Sequence, residues 1–219
     1  MKTSRTSSKR RALTLSDTLV VIATVALIGV VLLPAVVPHR SCGTAAARIS
    51  CVNNLKQVGL AFRIYANDNN DLYPQSIPDA EGGAMDSVAR GDISRVFQVM
   101  SNELSVPKTV MCPADSREYA TNFTNFNHAN ISYFVGLDAT DTKPNMILAG
   151  DRHLAVNGTL LSGVQSLSTN RHPEWTALMH EGAGNIALAD GSVQQVTTAN
   201  LNQHLAVSGD EMNRIAFPQ

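Results

Sequence analysis

An uncharged run near the N-terminus constrains this chain more than any other feature. Residues 18–37 read TLVVIATVALIGVVLLPAVV and contain no charged side chain. A helix needs about 20 apolar residues to cross a hydrocarbon core about 30 Å thick. The sequence therefore predicts a membrane-spanning helix over about residues 18–38.

The charges that flank this run predict its orientation. Residues 1–12 hold five basic side chains and no acid, although the whole chain has 17 basic and 18 acidic residues. Basic flanks tend to stay in the cytoplasm, so the C-terminal part is expected in the periplasm or outside the cell. The mildly acidic remainder argues against a nucleic-acid partner, which would require basic side chains that neutralise phosphates.

Export signals are the alternatives for the same segment. A cleaved secretory signal has an apolar core of about 7–15 residues followed by a small-x-small site. Here the apolar run is longer, and the nearest cluster of small residues is at 45–47. Arg10 and Arg11 are compatible with a twin-arginine signal. Under either signal the mature chain would be an exported envelope enzyme or binding module.

An acidic residue, Asp17, stands at the mouth of the apolar run. A carboxylate is costly there unless it stays near the interface or finds a positive partner. Cleavage after Ala12 would create a new amine on Leu13, about one helical turn before Asp17. The same amine in a neighbouring copy could serve as the partner of this carboxylate.

Residues 10–23, RRALTLSDTLVVIA, resemble the processing and methylation segment of type IV prepilins and of type II secretion pseudopilins. The resemblance implies cleavage between Ala12 and Leu13, N-methylation of Leu13 and an assembly role for Asp17. The family usually has Gly before the cut, Phe after it and Glu at the acidic position. The differences at Ala12 and Leu13 bear on how efficiently the chain is processed. Asp17 has a shorter side chain than Glu, so its carboxylate reaches less far.

The resemblance also implies a function and a location. It indicates a structural subunit rather than an enzyme, in a type II secretion pseudopilus or a type IV pilus-like filament. The implied location is the bacterial inner membrane, crossed once, with a cytoplasmic N-terminus and a periplasmic domain. The implied partners are a prepilin peptidase, other copies or related pseudopilins, the inner-membrane secretion platform and the lipid bilayer. A membrane-anchored surface protein that never polymerises is a further alternative.

A second motif lies near the C-terminus, where His180 is followed nine residues later by Asp190 and Gly191. This spacing is similar to the His-x9-Asp-Gly signature of a bacterial group of prepilin-like proteins. Asp-Gly between two apolar segments also predicts a two-residue type I′ hairpin. Because Asp before Gly favours turns, we expect a structural role for His180 and Asp190 rather than catalysis.

A helix is expected directly after the apolar run, over residues 44–66. Its apolar stripe recurs at spacings of four, three, four and three, which fit one helix face: Cys51, Leu55, Val58, Phe62 and Tyr65. The strand candidates that follow are bounded by Asn, Gly, Asp and Pro: 131–137, 146–149, 175–180, 185–189 and 192–197.

These elements predict an α+β, pilin-like fold. A basic leader occupies residues 1–12, and one long helix follows over 13–67, with a membrane-spanning first half. A globular periplasmic domain occupies 68–219, where the helix packs on a small antiparallel sheet.

Three cysteines allow at most one internal pair. Cys51 lies on the apolar stripe, and Cys112 ends an apolar segment. A Cys51–Cys112 disulfide is one interpretation, and two small buried apolar side chains are the other. Cys42 falls on the opposite helix face from Cys51 and is expected to be the odd one.

No metal or cofactor is expected from motif spacing. By resemblance to pseudopilins that hold calcium in acidic loops, the pairs Asp138/Asp141 or Asp68/Asp71 are calcium candidates. Neither pair lies in a stretch with the regular oxygen-ligand spacing of an EF-hand.

Overall fold

The computed structural model describes residues 15–36, 40–167 and 171–219, leaving out the side chains of 29–36 and 40–44. The chain divides into two compact units, Met1–Cys42 and Gly43–Gln219. The first described helix, α1, comprises Leu15–Val36, and the second, α2, comprises Arg40–Asp68. The structure therefore has two helices where one long N-terminal helix was predicted. Residues 37–39, between the two helices in sequence, lie outside the described residues.

The predicted membrane-spanning segment over about 18–38 is wrong. Among the residues that the structure describes, no helix is both long and apolar enough to cross a membrane. The same finding overturns the predicted single-pass location in the inner membrane with a periplasmic domain. It also overturns the prediction of a membrane-anchored pseudopilin.

The second unit is built around a large antiparallel sheet. Its six strands are ordered β5-β9-β1-β2-β7-β8, and a second sheet has the order β4-β3-β6. The strands are β1 Tyr133–Gly136, β2 Ile147–Asp151, β3 Leu154–Val156, β4 Thr159–Leu160, β5 Gly163–Ser166, β6 Glu174–Trp175, β7 Ala183–Leu188, β8 Val193–Thr197 and β9 Arg214–Phe217. The predicted fold, one long helix on a small sheet, is therefore wrong in the size of the sheet as well.

Short helices connect these strands. Between α2 and β1 lie α3 Met85–Ala89, α4 Ser94–Val99 and α5 Ser101–Leu104. A single turn of helix, α6, spans Ala177–His180, and α7 spans Thr198–Val207. The expected strand over 175–180 is instead the end of β6 followed by α6, because the Thr176 side chain accepts a hydrogen bond from the Leu178 amide and caps a helical turn.

Both faces of the six-stranded sheet are covered. Successive residues of a strand point to opposite faces, so Tyr133 and Val135 of β1 lie in the cluster that contains the apolar stripe of α2. Phe134 lies in a second cluster, together with residues of α7. The stripe predicted from helical periodicity is confirmed, since all five of its side chains are buried.

The β7–β8 hairpin was predicted correctly in position but not in turn type. Gly191 has a φ of 84°, whereas Asp190 is absent from the described non-glycine residues with positive φ. The Gly191 amide donates to the Leu188 carbonyl at 2.9 Å, and the Leu188 amide donates to Ser192 at 2.9 Å. This geometry is that of a type I turn followed by a left-handed glycine, the usual three-residue hairpin loop.

Candidate functional site: a buried cysteine, histidine and aspartate cluster

A disulfide joins Cys51 of α2 to Cys112, with the two Cα atoms 4.7 Å apart. Cys112 follows a 3-10 helical segment at Pro107–Val110. Both cysteines are completely buried. The structure thus brings together the two cysteines that helix periodicity and apolar context had singled out. The side chain of Cys42 lies outside the described residues.

His180 lies against this disulfide. Its Nε2 atom is 3.4 Å from Sγ of Cys112 and 3.4 Å from Oδ2 of Asp151. The backbone of His180 is held by α6, which ends at this residue, and by Arg48 of α2, which donates to the His180 carbonyl at 3.0 Å. Glu181 follows in a left-handed conformation with a φ of 55° and accepts a 2.9 Å hydrogen bond from the same arginine.

Asp151 supplies the carboxylate of this group from the last position of β2. Its Oδ2 atom accepts hydrogen bonds from the backbone amide of Asn185, at 2.7 Å, and from the Asn185 side chain, at 2.9 Å. Burial nevertheless raises the pKa of Asp151 to about 7, since it outweighs these two hydrogen bonds, and nearby Asp115 adds to the increase.

Burial also lowers the pKa of His180, and the positive charge of Arg48 lowers it further. Burial therefore favours the neutral forms of both His180 and Asp151, because a charge removed from water is costly unless it is fully paired. The 3.4 Å contact between them is accordingly better described as a contact between neutral groups than as an ion pair.

A second buried polar group lies beside the first. The Asp115 carboxylate accepts a bidentate pair of hydrogen bonds from Arg152, at 2.8 and 2.9 Å, and its Oδ1 lies 3.6 Å from Nε2 of His153. Burial alone would raise the pKa of Asp115, but the hydrogen bonds from Arg152 and His153 outweigh it and lower that pKa well below its usual value. A cavity of about 240 Å³ adjoins this group and is lined by both Cys112 and Asp115.

The two ends of the His-x9-Asp-Gly motif have different surroundings. His180 contacts Cys112 and Asp151, whereas Asp190 accepts a 2.8 Å hydrogen bond from the Ser192 amide inside the hairpin. The Asp190 carbonyl accepts a hydrogen bond from Arg63 of α2. His180 of the motif therefore belongs to the buried cluster, whereas Asp190 belongs to the hairpin turn.

The remaining predicted residues lie elsewhere. Asp17 is in the first turn of α1 and is exposed, and the predicted cleavage site, Ala12 and Leu13, lies outside the described residues. Of the calcium candidates, Asp138 is paired with Arg214, and Asp141 lies 3.8 Å from Arg63. Calcium binding stays a prediction, although a carboxylate already paired with a guanidinium is less available to a cation.

The sequence did not indicate that Asn185 holds the Asp151 carboxylate in place through two hydrogen bonds. The Asp115–Arg152 pair was also missed. The only local signal is the charged sequence Asp151-Arg152-His153 directly after an apolar strand, because charged residues that enter a sheet core usually have partners there.

The cluster has the donor atoms of a metal site. Within the described residues, the sulfur atoms of Cys51 and Cys112 and one ring nitrogen of His180 lie within 4.8 Å of one another, although the two sulfurs are joined in a disulfide. All three side chains and Asp151 are at most 1% exposed. Such enclosure suits a structural or metal-binding role better than direct contact with a substrate. Comparison of the chain with family models, with curated proteins and with solved structures finds no match in any of the three.

Proposed function

We propose that this chain is a structural subunit that assembles with its own copies, or with related chains, into a pilus-like filament through α1. The observation that carries the proposal is the exposure of the apolar side chains of α1. The large apolar side chains between residues 15 and 28 are 54–82% exposed: Leu15, Leu19, Val20, Val21, Ile22, Val25, Leu27 and Ile28.

These side chains surround the helix rather than forming one stripe. Residues 19–22 are consecutive, and each is more than half exposed. At about 100° per residue, four consecutive positions point around most of the circumference. A helix that is apolar on all sides is normally buried, so α1 needs partners on more than one side, as it would have in a bundle of identical helices.

The energies involved favour such an assembly. Full burial of one large apolar side chain contributes about 1.5–3 kcal/mol. Association costs about 4–15 kcal/mol in lost freedom of motion and side-chain ordering. Burial of most of the apolar side chains of α1 would therefore exceed this cost, whereas burial of one or two would not.

The prepilin resemblance supplies the processing steps of this proposal. A prepilin peptidase would cut between Ala12 and Leu13, and the new amine of Leu13 would be methylated. Asp17, in the first turn of α1, would then pair with the Leu13 amine of an adjacent copy. The helix dipole also favours an acid at this end of the helix.

The experiment compares the full chain with two lysine variants, each co-expressed with a prepilin peptidase. Val21→Lys places a charge within the apolar surface of α1. Val207→Lys places the same charge at another exposed valine, 58% accessible at the end of α7. The wild-type chain and the Val207 variant are expected to form filaments that sediment and are visible by electron microscopy, whereas the Val21 variant is expected to lose most of them. Equal filament yield in all three would refute the role of α1.

N-terminal sequencing of the mature chain distinguishes this proposal from an exported enzyme or binding module. A first residue of Leu13 supports the filament subunit, because α1 is then retained. A first residue near 40 or beyond would mean that α1 had been removed, and a subunit that assembles through α1 could not result.

A further inference from the structure

We propose that reduction of the Cys51–Cys112 disulfide turns the buried cluster into a tetrahedral zinc site, with Cys51, Cys112, His180 and Asp151 as ligands. The proposal concerns the second unit of the chain and does not depend on filament assembly. Two thiolates with an imidazole and a carboxylate are ligands that zinc accepts in proteins.

The spacing of the donor atoms fits a zinc ion. With Zn–N and Zn–O bonds of about 2.0–2.2 Å and Zn–S bonds of about 2.3 Å, neighbouring ligand atoms of a tetrahedron are separated by about 3.3–3.8 Å. The Nε2 atom of His180 lies 3.4 Å from the Asp151 carboxylate and 3.4 Å from the Cys112 sulfur. The His180 nitrogen is therefore already at ligand spacing from two other donors, whereas the two bonded sulfurs must separate before zinc can enter.

The polar atoms of the cluster are incompletely satisfied around the disulfide. Oδ1 of Asp151 and Nδ1 of His180 are buried and have no hydrogen-bond partner among the described residues. A buried polar atom without a partner is costly, and disulfide sulfur is a poor substitute for one. A cation at the centre would give the carboxylate a partner, and Asn185 already orients that carboxylate as residues around metal ligands commonly do.

The four ligands would give the zinc site one net negative charge, and Arg48 beside it is already paired with Glu181 at 2.9 Å. Zn²⁺ with two thiolates and a neutral imidazole has no net charge, and the Asp151 carboxylate adds one negative charge. The guanidinium of Arg48 lies beside the cluster, where it donates to the His180 carbonyl at 3.0 Å. A cavity of about 240 Å³ is lined by Cys112 and Asp115 beside the cluster.

The chemical steps are a reduction followed by ligand exchange. Two equivalents of a thiol reductant supply two electrons and two protons, the Cys51–Cys112 S–S bond breaks, two thiols form, and the reductant becomes a disulfide. Zn²⁺ then forms two Zn–S bonds, and the two thiol protons leave to solvent. Thiolates are the forms that bind metal, so binding releases protons.

The test measures zinc uptake by the full chain in both redox states. The protein is reduced anaerobically with a phosphine, which does not compete strongly for zinc, and titrated with ZnCl₂ against a chromophoric chelator. The reduced chain is expected to take up one zinc ion and the oxidised chain none. Replacement of zinc by Co²⁺ is expected to give the thiolate-to-cobalt absorption of a tetrahedral site.

Matched variants identify the ligands. Mutation of a residue that only hydrogen-bonds to a metal ligand typically weakens metal binding by about 10–100-fold. His180→Gln removes a ligand itself and is expected to weaken zinc binding by more than this. His172→Gln, at an exposed histidine, and Cys42→Ser are expected to bind zinc as the wild type does. Circular dichroism records folding in every sample, and a reduced chain that has unfolded is expected to refold when zinc is added.

Three results would overturn the proposal. The first is a reduced and folded chain that takes up no zinc. The second is a reduced and unfolded chain that zinc does not refold. The third is uptake that persists undiminished in a Cys51→Ser/Cys112→Ser double variant.

Discussion

The Nε2 atom of His180 lies 3.4 Å from the sulfur of Cys112, although 68 positions separate the two residues in sequence. Cys112 is bonded in turn to Cys51 of α2. Three distant segments of the chain therefore meet at one buried point: the middle of α2, the segment after Pro107–Val110, and the end of α6. We expect this point to contribute strongly to the stability of the second unit.

The disulfide should account for a large share of that stability. It closes a loop with a sequence separation of 61, for which the loss of chain entropy in the unfolded state corresponds to about 4 kcal/mol. Cys51→Ala/Cys112→Ala is expected to lower the free energy of unfolding by about this amount in urea denaturation. Cys42→Ser is the control and should leave the free energy of unfolding unchanged. A double variant as stable as the wild type would mean that the disulfide restricts the unfolded chain too little to affect stability.

The Asp115–Arg152 pair should make stability depend on acid pH. The folded-state pKa of Asp115 is lowered, so its contribution is fully present above the ordinary value of about 3.9 and decreases as the pH falls below that value toward the folded pKa. Asp115→Asn leaves Arg152 without its charged partner, and removal of one member of a buried pair costs about 3–5 kcal/mol.

Urea unfolding between pH 7 and pH 2 measures this effect. The difference in stability between wild type and Asp115→Asn is expected to be largest at pH 7 and to shrink below about pH 4. Asp68→Asn, at an exposed carboxylate, serves as the control. A difference that stays constant over the whole pH range would exclude Asp115 as the titrating group.

Two glycines should respond to alanine in opposite directions. A Cβ at Gly136 in β1 would overlap the Ile147 carbonyl, whereas a Cβ at Gly59 in α2 would have its nearest neighbours at 3.9 Å, an ordinary contact. Gly136→Ala is expected to cost about 1–3 kcal/mol through overpacking. Gly59→Ala is expected to add up to about 1 kcal/mol through better helix propensity. Thermal denaturation checks both signs, and stabilisation by Gly136→Ala would show that β1 and β2 are less closely spaced than described.

Asp17 should matter for assembly and not for the fold of the second unit. Asp17→Asn keeps the size of the side chain but removes the charge that would meet the Leu13 amine of an adjacent copy. Filament yield is expected to fall severalfold, while urea unfolding of the second unit stays unchanged. Asp86→Asn, at another exposed acid, is the control, and an undiminished yield from the Asp17 variant would remove the assembly role.

Local patterns in the sequence predicted the local structure well. The stripe from Cys51 to Tyr65 is buried because the helical period of 3.6 residues decides which side chains share a face. The β7 and β8 strands flank Asp190 and Gly191 as expected, since both strands and their turn lie within a short stretch of chain.

Non-local pairing could not be predicted in the same way. In the six-stranded sheet β9 pairs with both β1 and β5, across long separations in sequence. The contact between Asp151 and Asn185 likewise depends on β2 lying beside β7. Alternation within a strand indicates which residues face the core, but it does not indicate which strand lies alongside.

The central claim, that copies of α1 pack against one another, is tested most directly by disulfide cross-linking. Val21→Cys is introduced into full-length Cys42→Ser protein and oxidised at low protein concentration, with Val207→Cys as the exposed control at another site. We expect a ladder of covalent multimers from the Val21 variant and essentially monomer from the Val207 variant. A Val21 variant that remains monomeric under conditions in which its thiol is fully reactive would contradict assembly through α1.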